Sequence, residues 1–416
     1  MRLWQQAMIS LARSARITDL VQNRGAFSGL ASRFVGGASA DRALETAHRL
    51  NGHGISSSLF YLGEYVEDPA VIDETVRQLD AVLAGLAGAG LDLHVSVDPT
   101  QLGLLIDEET CAANVRRIAA MVSDRAPGKQ PRPGRDAVML DMEDHSVTEF
   151  TLRLHDLLRT DGLPLAVTVQ SYLHRATDDL KRLAGQGAFV RLVEGAFAES
   201  ADVAVRTRTQ IDSRYRRAAA TLLSPASRAA GTCVSFGTHD DVIIEEIAHM
   251  ASANGWSRDS FEFEMLFGVR PELHSDLVSR GLRVRLYVPF GRDWFPYAIR
   301  RVGESPRNLG FAVGALARLS LVHSHATFAH LPRHSHTRPD GVLRSGGHAH
   351  NHRRDDDEST TRDHHYGGAG EHHYGGARSD YNDHNIRSTR NDDDGTSRDH
   401  HAPPVSSASR VARARR

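Results

Sequence analysis

Short β-type runs and helical stretches alternate eight times between residues 54 and 304, and no other feature restricts the fold of this chain as much. The β-type runs are GISSSLFYL (54–62), LDLHVSV (91–97), DAVMLDM (136–142), LAVTVQ (165–170), AFVRLV (188–193), TCVSFGT (232–238), FEFEM (261–265) and VRLYVP (284–289). Between them, stretches such as AVIDETVRQLDAVLAGL, EETCAANVRRIAAMV, TEFTLRLHDLLR and DDVIIEEIAHMA space their apolar residues three and four apart, the period of a helix. Eight such units over roughly 250 residues spell an α/β fold, a (β/α)8 barrel of the TIM type. A doubly wound sheet is the competing reading. It lacks its usual phosphate-loop support, because no GxGxxG follows the first run and no GxxxxGK[ST] occurs.

The alternation ends near Leu321, and composition changes with it: of the 24 histidines, 15 lie from His323 onward, among runs such as DDDE and NDDD and a repeated HHYGG. Few large apolar residues are present there, so this tail is expected to be disordered. The opening MRLWQQAMISLARSARITDLV reads as an amphipathic docking helix. The expected division is therefore a helical segment over 1–53, a barrel over 54–321 and a tail over 322–416. A formal net charge of −2 gives no strong field for nucleic acid. Cys111 and Cys233 suit a reducing cytoplasm, and no apolar run reaches the length of about 18 residues of a membrane span.

In a barrel of this kind, chemistry sits where strands end and loops begin. Those positions hold Glu64, Asp98, Asp141 with Met142 and Glu143, Gln170, Arg191 with Glu194, Thr238 with His239, and Tyr287. Each has a plain structural reading. Asp98 precedes Pro99 as a turn residue would, Thr238 or Asp240 suits a helix cap, and Asp141–Glu143–Asp144 could be a solvated loop. The last helix reads WFPYAIRRVGE, which brings Tyr297, Arg300, Arg301 and Glu304 to one side. It is either a solvated face or a guanidinium clamp for a carboxylate or phosphate. Asp141, Glu143, Asp144 and His145 crowd one strand end and His239 with Asp240 another, so a metal-dependent barrel hydrolase is an alternative, though without a settled ligand spacing. Nothing resembles GxSxG.

The segments DMEDHSVTEFTL, VTVQSYLHRATDDL, VRLVEGAFAES, FGTHDD, FEFEMLFGVRPEL and VRLYVPFGRDWFPYAIRRVGESPRNLGF occur in the order found in bacterial proline dehydrogenases, and from about Gly54 to Leu321 the chain resembles that family. The resemblance implies a distorted (βα)8 barrel that carries FAD without a Rossmann domain. It also implies oxidation of L-proline to Δ1-pyrroline-5-carboxylate, with electrons passed to a quinone. A cytoplasmic protein with peripheral contact at the inner face of the membrane would serve that exchange.

By resemblance, Arg300 and Arg301 hold the proline carboxylate, Glu304 orients Arg300, and Tyr287 and Tyr297 close over the substrate ring. Asp141 matches an active-site aspartate, and Gln170 and Arg191 match residues that hydrogen-bond the flavin. Met142, Glu194–Gly195–Ala196 and Thr238–His239 fall where the family contacts FAD. Two departures stand out. The family pattern SVKxS reads SVDPT here, which puts Asp98 at the substrate, and VKGAY reads VEGAF, with Glu194 and Phe197. A catalytically weak flavin-binding relative is the alternative those two reversed charges raise.

Overall fold

The computed structural model describes residues 31–304; the amphipathic start and the His-rich tail lie outside the described residues. Eight strands run as β1 Ser56–Tyr61, β2 His94–Val97, β3 Ala137–Leu140, β4 Leu165–Gln170, β5 Phe189–Val193, β6 Cys233–Gly237, β7 Phe261–Leu266 and β8 Arg283–Phe290. Each pairs in parallel with the next, and β8 pairs with β1, so the sheet closes. The (β/α)8 expectation holds, and the doubly wound alternative does not, because an open sheet would leave β1 and β8 unpaired.

The helices are α1 Ala31–Phe34, α2 Ala40–Asn51, α3 Pro69–Gly88, α4 Glu108–Arg125, α5 His145–Thr160, α6 Ala176–Gly185, α7 Arg208–Leu222, α8 Pro225–Ala229, α9 Asp241–Ala253, α10 Pro271–Ser279 and α11 Trp294–Glu304. Several begin on a side-chain cap supplied just after a strand. Asp68 accepts from the Ala70 amide, Asp107 from Thr110, Asp144 from Ser146, and Asp240 from both Val242 and Ile243. Each cap satisfies amides that a helix start leaves without partners. Asp240 thus does what its plain reading expected, whereas Asp144, read as part of a solvated loop, caps a helix instead.

Strand alternation divides the core into two shells. Leu59, Val95, Val138, Val167, Val190 and Phe263 turn outward into one apolar core shared with the helices. Ala43, Ala47 and Leu50 of α2 belong to that same core. The inward residues are far more polar. Toward the strand starts, fully buried Arg285 donates to Glu262 at 2.7 Å, to Asp92 at 3.0 Å and to the Ser57 carbonyl at 2.8 Å. Beside it Ala137, Met139, Ala166 and Phe189 form a small apolar plug. A second charged tier lies above, toward the strand ends.

No helix among the described residues is long and apolar enough to cross a membrane.

Candidate active site

The upper tier centres on Arg191, whose guanidinium is buried inside the barrel. Its Nε donates to Glu264 Oε2 at 2.7 Å and one Nη to Glu264 Oε1 at 2.6 Å, a two-point pair. The other Nη meets Asp141 Oδ1, and further bonds reach Ser96 at 2.9 Å and Ser58 at 3.3 Å. Burial alone would weaken the Arg191 charge, but Glu264 and Asp141 overcome it and hold the group firmly protonated. Ser235 donates to Glu264 at 2.9 Å, so the serine that interrupts an apolar strand serves this pair.

Asp141 carries the network to the mouth. Tyr287 donates its hydroxyl to Asp141 Oδ2 at 2.9 Å, and the Tyr287 ring stacks on Phe60 with Arg191 5.4 Å from its centroid. Burial pushes Asp141 above the usual carboxylate range; Arg191 and Tyr287 pull it back, and the nearby Glu264 charge adds to the push. Arg191 and Glu264 are shut in, whereas Asp141 and Tyr287 keep part of their surface open. The buried tier therefore presents a carboxylate and a phenol to whatever enters.

The other expected strand-end residues frame this pair. Gln170 joins two loops, its amide nitrogen donating to the Glu143 carbonyl at 2.8 Å and its oxygen accepting from the Ala196 amide at 3.3 Å. Met142 is buried in the outer core. Thr238 is buried and accepts from the Asp240 amide at 3.2 Å. His239 Nε2 accepts from the Leu266 amide at 3.0 Å, which leaves the ring hydrogen on Nδ1. Burial, then His274, Arg301 and Arg270, lower its pKa to about 4, so the ring is neutral near pH 7.

Gly195 takes φ +126 against the Tyr172 ring, and Glu194 forms a two-point pair with Arg208. Asp98 is buried at the start of a 3-10 turn, Pro99–Leu102, and its charge raises the Tyr287 pKa behind burial and Asp141.

Helix α11 crosses the same region. Tyr297 is buried, and the Arg301 guanidinium lies 5.1 Å from its ring centre, as the four-residue spacing anticipated. Tyr297 acts on Tyr287, and Arg301 on His239, so the helix and the strand ends share one electrostatic neighbourhood. Arg300 and Glu304 belong to α11, but their side chains, and the orienting contact expected between them, lie outside the described residues.

The residues suggested as a metal cluster part ways. Asp141 turns inward to Arg191, Glu143 takes two bonds from Thr100, Asp144 caps α5, and His145 Nδ1 pairs with Glu199 at 2.6 Å. Among the described residues no three His, Cys, Asp or Glu side chains gather as a ligand set. Sequence reasoning missed Glu264, Thr100 and Arg208. For Glu264 a signal was present, since FEFEM alternates acid with phenylalanine and a closed barrel turns every second residue inward.

Comparison with known proteins bears on the family and the fold. The family profile for proline dehydrogenase matches residues 43–313. The chain is 32% identical over 322 residues to proline dehydrogenase of Deinococcus radiodurans, covering 76% of this chain and 99% of that one. It is 30% identical over 314 residues to proline dehydrogenase 1 of Bacillus subtilis strain 168, covering 76% and 99%. Among solved structures, proline utilization A from Bdellovibrio bacteriovorus, inactivated by N-propargylglycine, superposes with a TM-score of 0.58 at 22% identity, over 66% of this chain and 32% of that one. The likeness to that longer protein concerns the barrel fold and spans about a third of its length. Matched by the profile over more than half its residues and by curated relatives over nearly all of theirs, the chain belongs to the proline dehydrogenase family of oxidoreductases.

Proposed function

We propose that this barrel binds FAD at the ends of β4, β5 and β6 and oxidises L-proline to Δ1-pyrroline-5-carboxylate, handing the electrons to a quinone. The observation that carries the reading is the Asp141–Tyr287 pair at the mouth, held from below by Arg191 and Glu264. It is a rigid polar floor beside a helix that carries two adjacent arginines.

The donor set fits a flavin. His239 is neutral with its hydrogen on Nδ1, a single donor aimed from the end of β6, and Thr238 adds a hydroxyl beside it. Gln170 and the Glu194–Gly195–Ala196 loop line the neighbouring strand ends. When bound, FAD supplies the two-electron acceptor for hydride from the ring carbon beside the proline nitrogen.

The remaining work falls to the chain's own side chains. Arg300 and Arg301 hold the carboxylate by the planar fork that suits it. Tyr297 and Tyr287 form walls for the pyrrolidine ring, and Tyr287 is kept from rotating by its bond to Asp141 and its stack on Phe60. Asp141, held by Arg191 and Tyr287, sets its carboxyl group beside the ring nitrogen, where positive character grows as the C=N bond forms. Helix α11 beside the floor excludes water there, and position supplies much of the rate. The reversed charge at Glu194 is met by Arg208, which supports an intact site rather than a weakened one.

The decisive experiment is the visible spectrum of the purified full-length chain. It should show bound flavin, bleach with L-proline in the absence of oxygen, and recover on adding a soluble quinone. N-propargylglycine, which inactivated the Bdellovibrio protein, should inactivate this one as well. A colourless protein that gains no flavin on reconstitution would sink the proposal; flavin that stays oxidised under saturating proline would replace it with an inactive flavin-binding relative.

A further inference from the structure

We propose that Arg208 is a positioning residue for the cofactor side of the mouth, fixing the loop after β5 against the loop after β6. The inference rests on the FAD reading above and goes beyond it, because that reading uses Arg208 only to neutralise Glu194.

The contacts are specific. Arg208 stands at the first turn of α7, just behind the capping Thr207. Its two Nη atoms donate to Glu194 at 2.5 and 2.9 Å. Its Nε lies 2.7 Å from Asp212 Oδ1, one turn along the same helix, as an ion pair without hydrogen-bond geometry. One Nη also lies 3.9 Å from Asp240 Oδ2, the cap of α9. One guanidinium therefore spans the Glu194–Ala196 loop, the start of α7 and the loop that carries Thr238 and His239.

Three carboxylates converge on that single cation. Without it, Arg216 still acts on Asp212 and Asp240, but Glu194 loses its two-point partner, and mutual repulsion would drive the most mobile of the three outward. Glu194 is that one, since Asp212 is set on a helix and Asp240 is held by two amides. The backbone of its loop is held by few other bonds. The Tyr172 amide donates to the Glu194 carbonyl at 3.0 Å and the Ser171 hydroxyl to the same carbonyl at 3.4 Å, the Ala196 amide meets Gln170 at 3.3 Å, and the Tyr172 hydroxyl reaches the Phe197 carbonyl at 3.2 Å. A loop tied this lightly depends on the pair at its first residue. Arginine suits the task because its fork engages both Glu194 oxygens at once, which fixes direction as well as distance.

The test uses the full-length chain, wild type and Arg208→Ala, Arg208→Lys, Glu194→Ala and the double Arg208→Ala/Glu194→Ala. Amide exchange is followed at Gly195 and Ala196 in protein stripped of flavin, and FAD affinity by flavin fluorescence. Arg208→Ala should speed exchange at both amides and weaken FAD binding, each at least tenfold, while exchange at Val95 and Val138 in the far wall stays unchanged. Arg208→Lys should fall between. The double variant should be no worse than Arg208→Ala, because each substitution removes the same contact. Strictly additive effects, or FAD affinity within twofold of wild type in Arg208→Ala, would overturn the proposal, as would general loosening that reaches Val95 and Val138. A wild-type chain that takes up no flavin is a separate result: it sinks the FAD reading, while exchange in the stripped protein still decides whether Arg208 fixes the loop.

Discussion

Gly195 shows how little freedom single residues have at the mouth. Its φ of +126 lies in the region that favours glycine, and a Cβ added there would fall 2.3 Å from the Tyr172 ring. Gly195→Ala therefore meets backbone strain of about 1–3 kcal/mol before any clash is counted. The loop must shift, and FAD affinity should fall roughly ten- to a hundredfold while the stripped protein loses about 1–3 kcal/mol of unfolding free energy at most. Flavin titration and denaturant unfolding check both halves; unchanged affinity would mean the cofactor does not lie against this loop. Arg301 makes a second case. Arg301→Lys keeps the charge but loses the fork, and a missing charge-assisted bond of about 1.5–3 kcal/mol should raise KM for proline roughly ten- to a hundredfold at constant flavin content. Steady-state kinetics decides, and silence of both Arg300→Ala and Arg301→Ala would reduce α11 to a solvated face.

At the scale of elements, the loops after β2 and β3 are clasped by Glu143. Its carboxylate accepts from the Thr100 amide at 3.0 Å and the Thr100 hydroxyl at 2.5 Å, while its carbonyl accepts from Gln170. Burial raises its pKa to about 7; the two Thr100 bonds oppose that, and the Glu64 and Asp144 charges add to it. The folded chain thus holds this proton where the unfolded chain has released it. Between the ordinary carboxylate value and about pH 7 the native state binds more protons, so stability falls as pH rises through that window. The loss amounts to roughly 3 kcal/mol by pH 8. Glu143→Gln should flatten denaturant unfolding between pH 5 and 8, and an unchanged slope would show that Glu143 ionises as an exposed acid does.

None of this was legible beforehand, because DMED looks the same whether its acids are solvated or buried. The strands themselves were legible, since a run such as LAVTVQ carries its own period and ends at Gln170 in both readings. The charged interior was legible only once a closed barrel is assumed, because FEFEM and VRLYVP alternate as a water-facing strand also would. Only closure tells that the acids and arginines face each other. The Glu194–Arg208 pair was hidden for another reason: the chain leaves β5, runs along residues 172–174 and returns fourteen positions later, a path no local pattern specifies.

Closure also sets the behaviour of the whole molecule. The barrel is complete only when β8 lies against β1, in a register that runs from Ser56–Arg285 to Tyr61–Phe290. That strand delivers Arg283 and Arg285, the two cations paired with buried Glu262, the second of which also reaches Asp92, and Tyr287, the phenol of the mouth. A chain ending at residue 282 would leave Glu262 buried without either of its arginines, while Asp92 would keep Arg132 and Arg135. Breaking one such pair costs about 3–5 kcal/mol, against a total stability of roughly 5–15 kcal/mol for a domain. The shortened chain should therefore lack a cooperative unfolding transition. Removing residues 323–416 touches none of these contacts and leaves the family-matched residues 43–313 whole. That variant should keep its unfolding free energy within about 0.5 kcal/mol, the size of an ordinary surface change. Its flavin content and proline turnover should stay within about twofold, as for any change that leaves the folded barrel intact. Circular dichroism with denaturant on the two truncated chains separates the possibilities. Cooperative folding of the 282-residue chain would show that the charged interior does not need β8, and loss of soluble protein without residues 323–416 would show that the barrel depends on them.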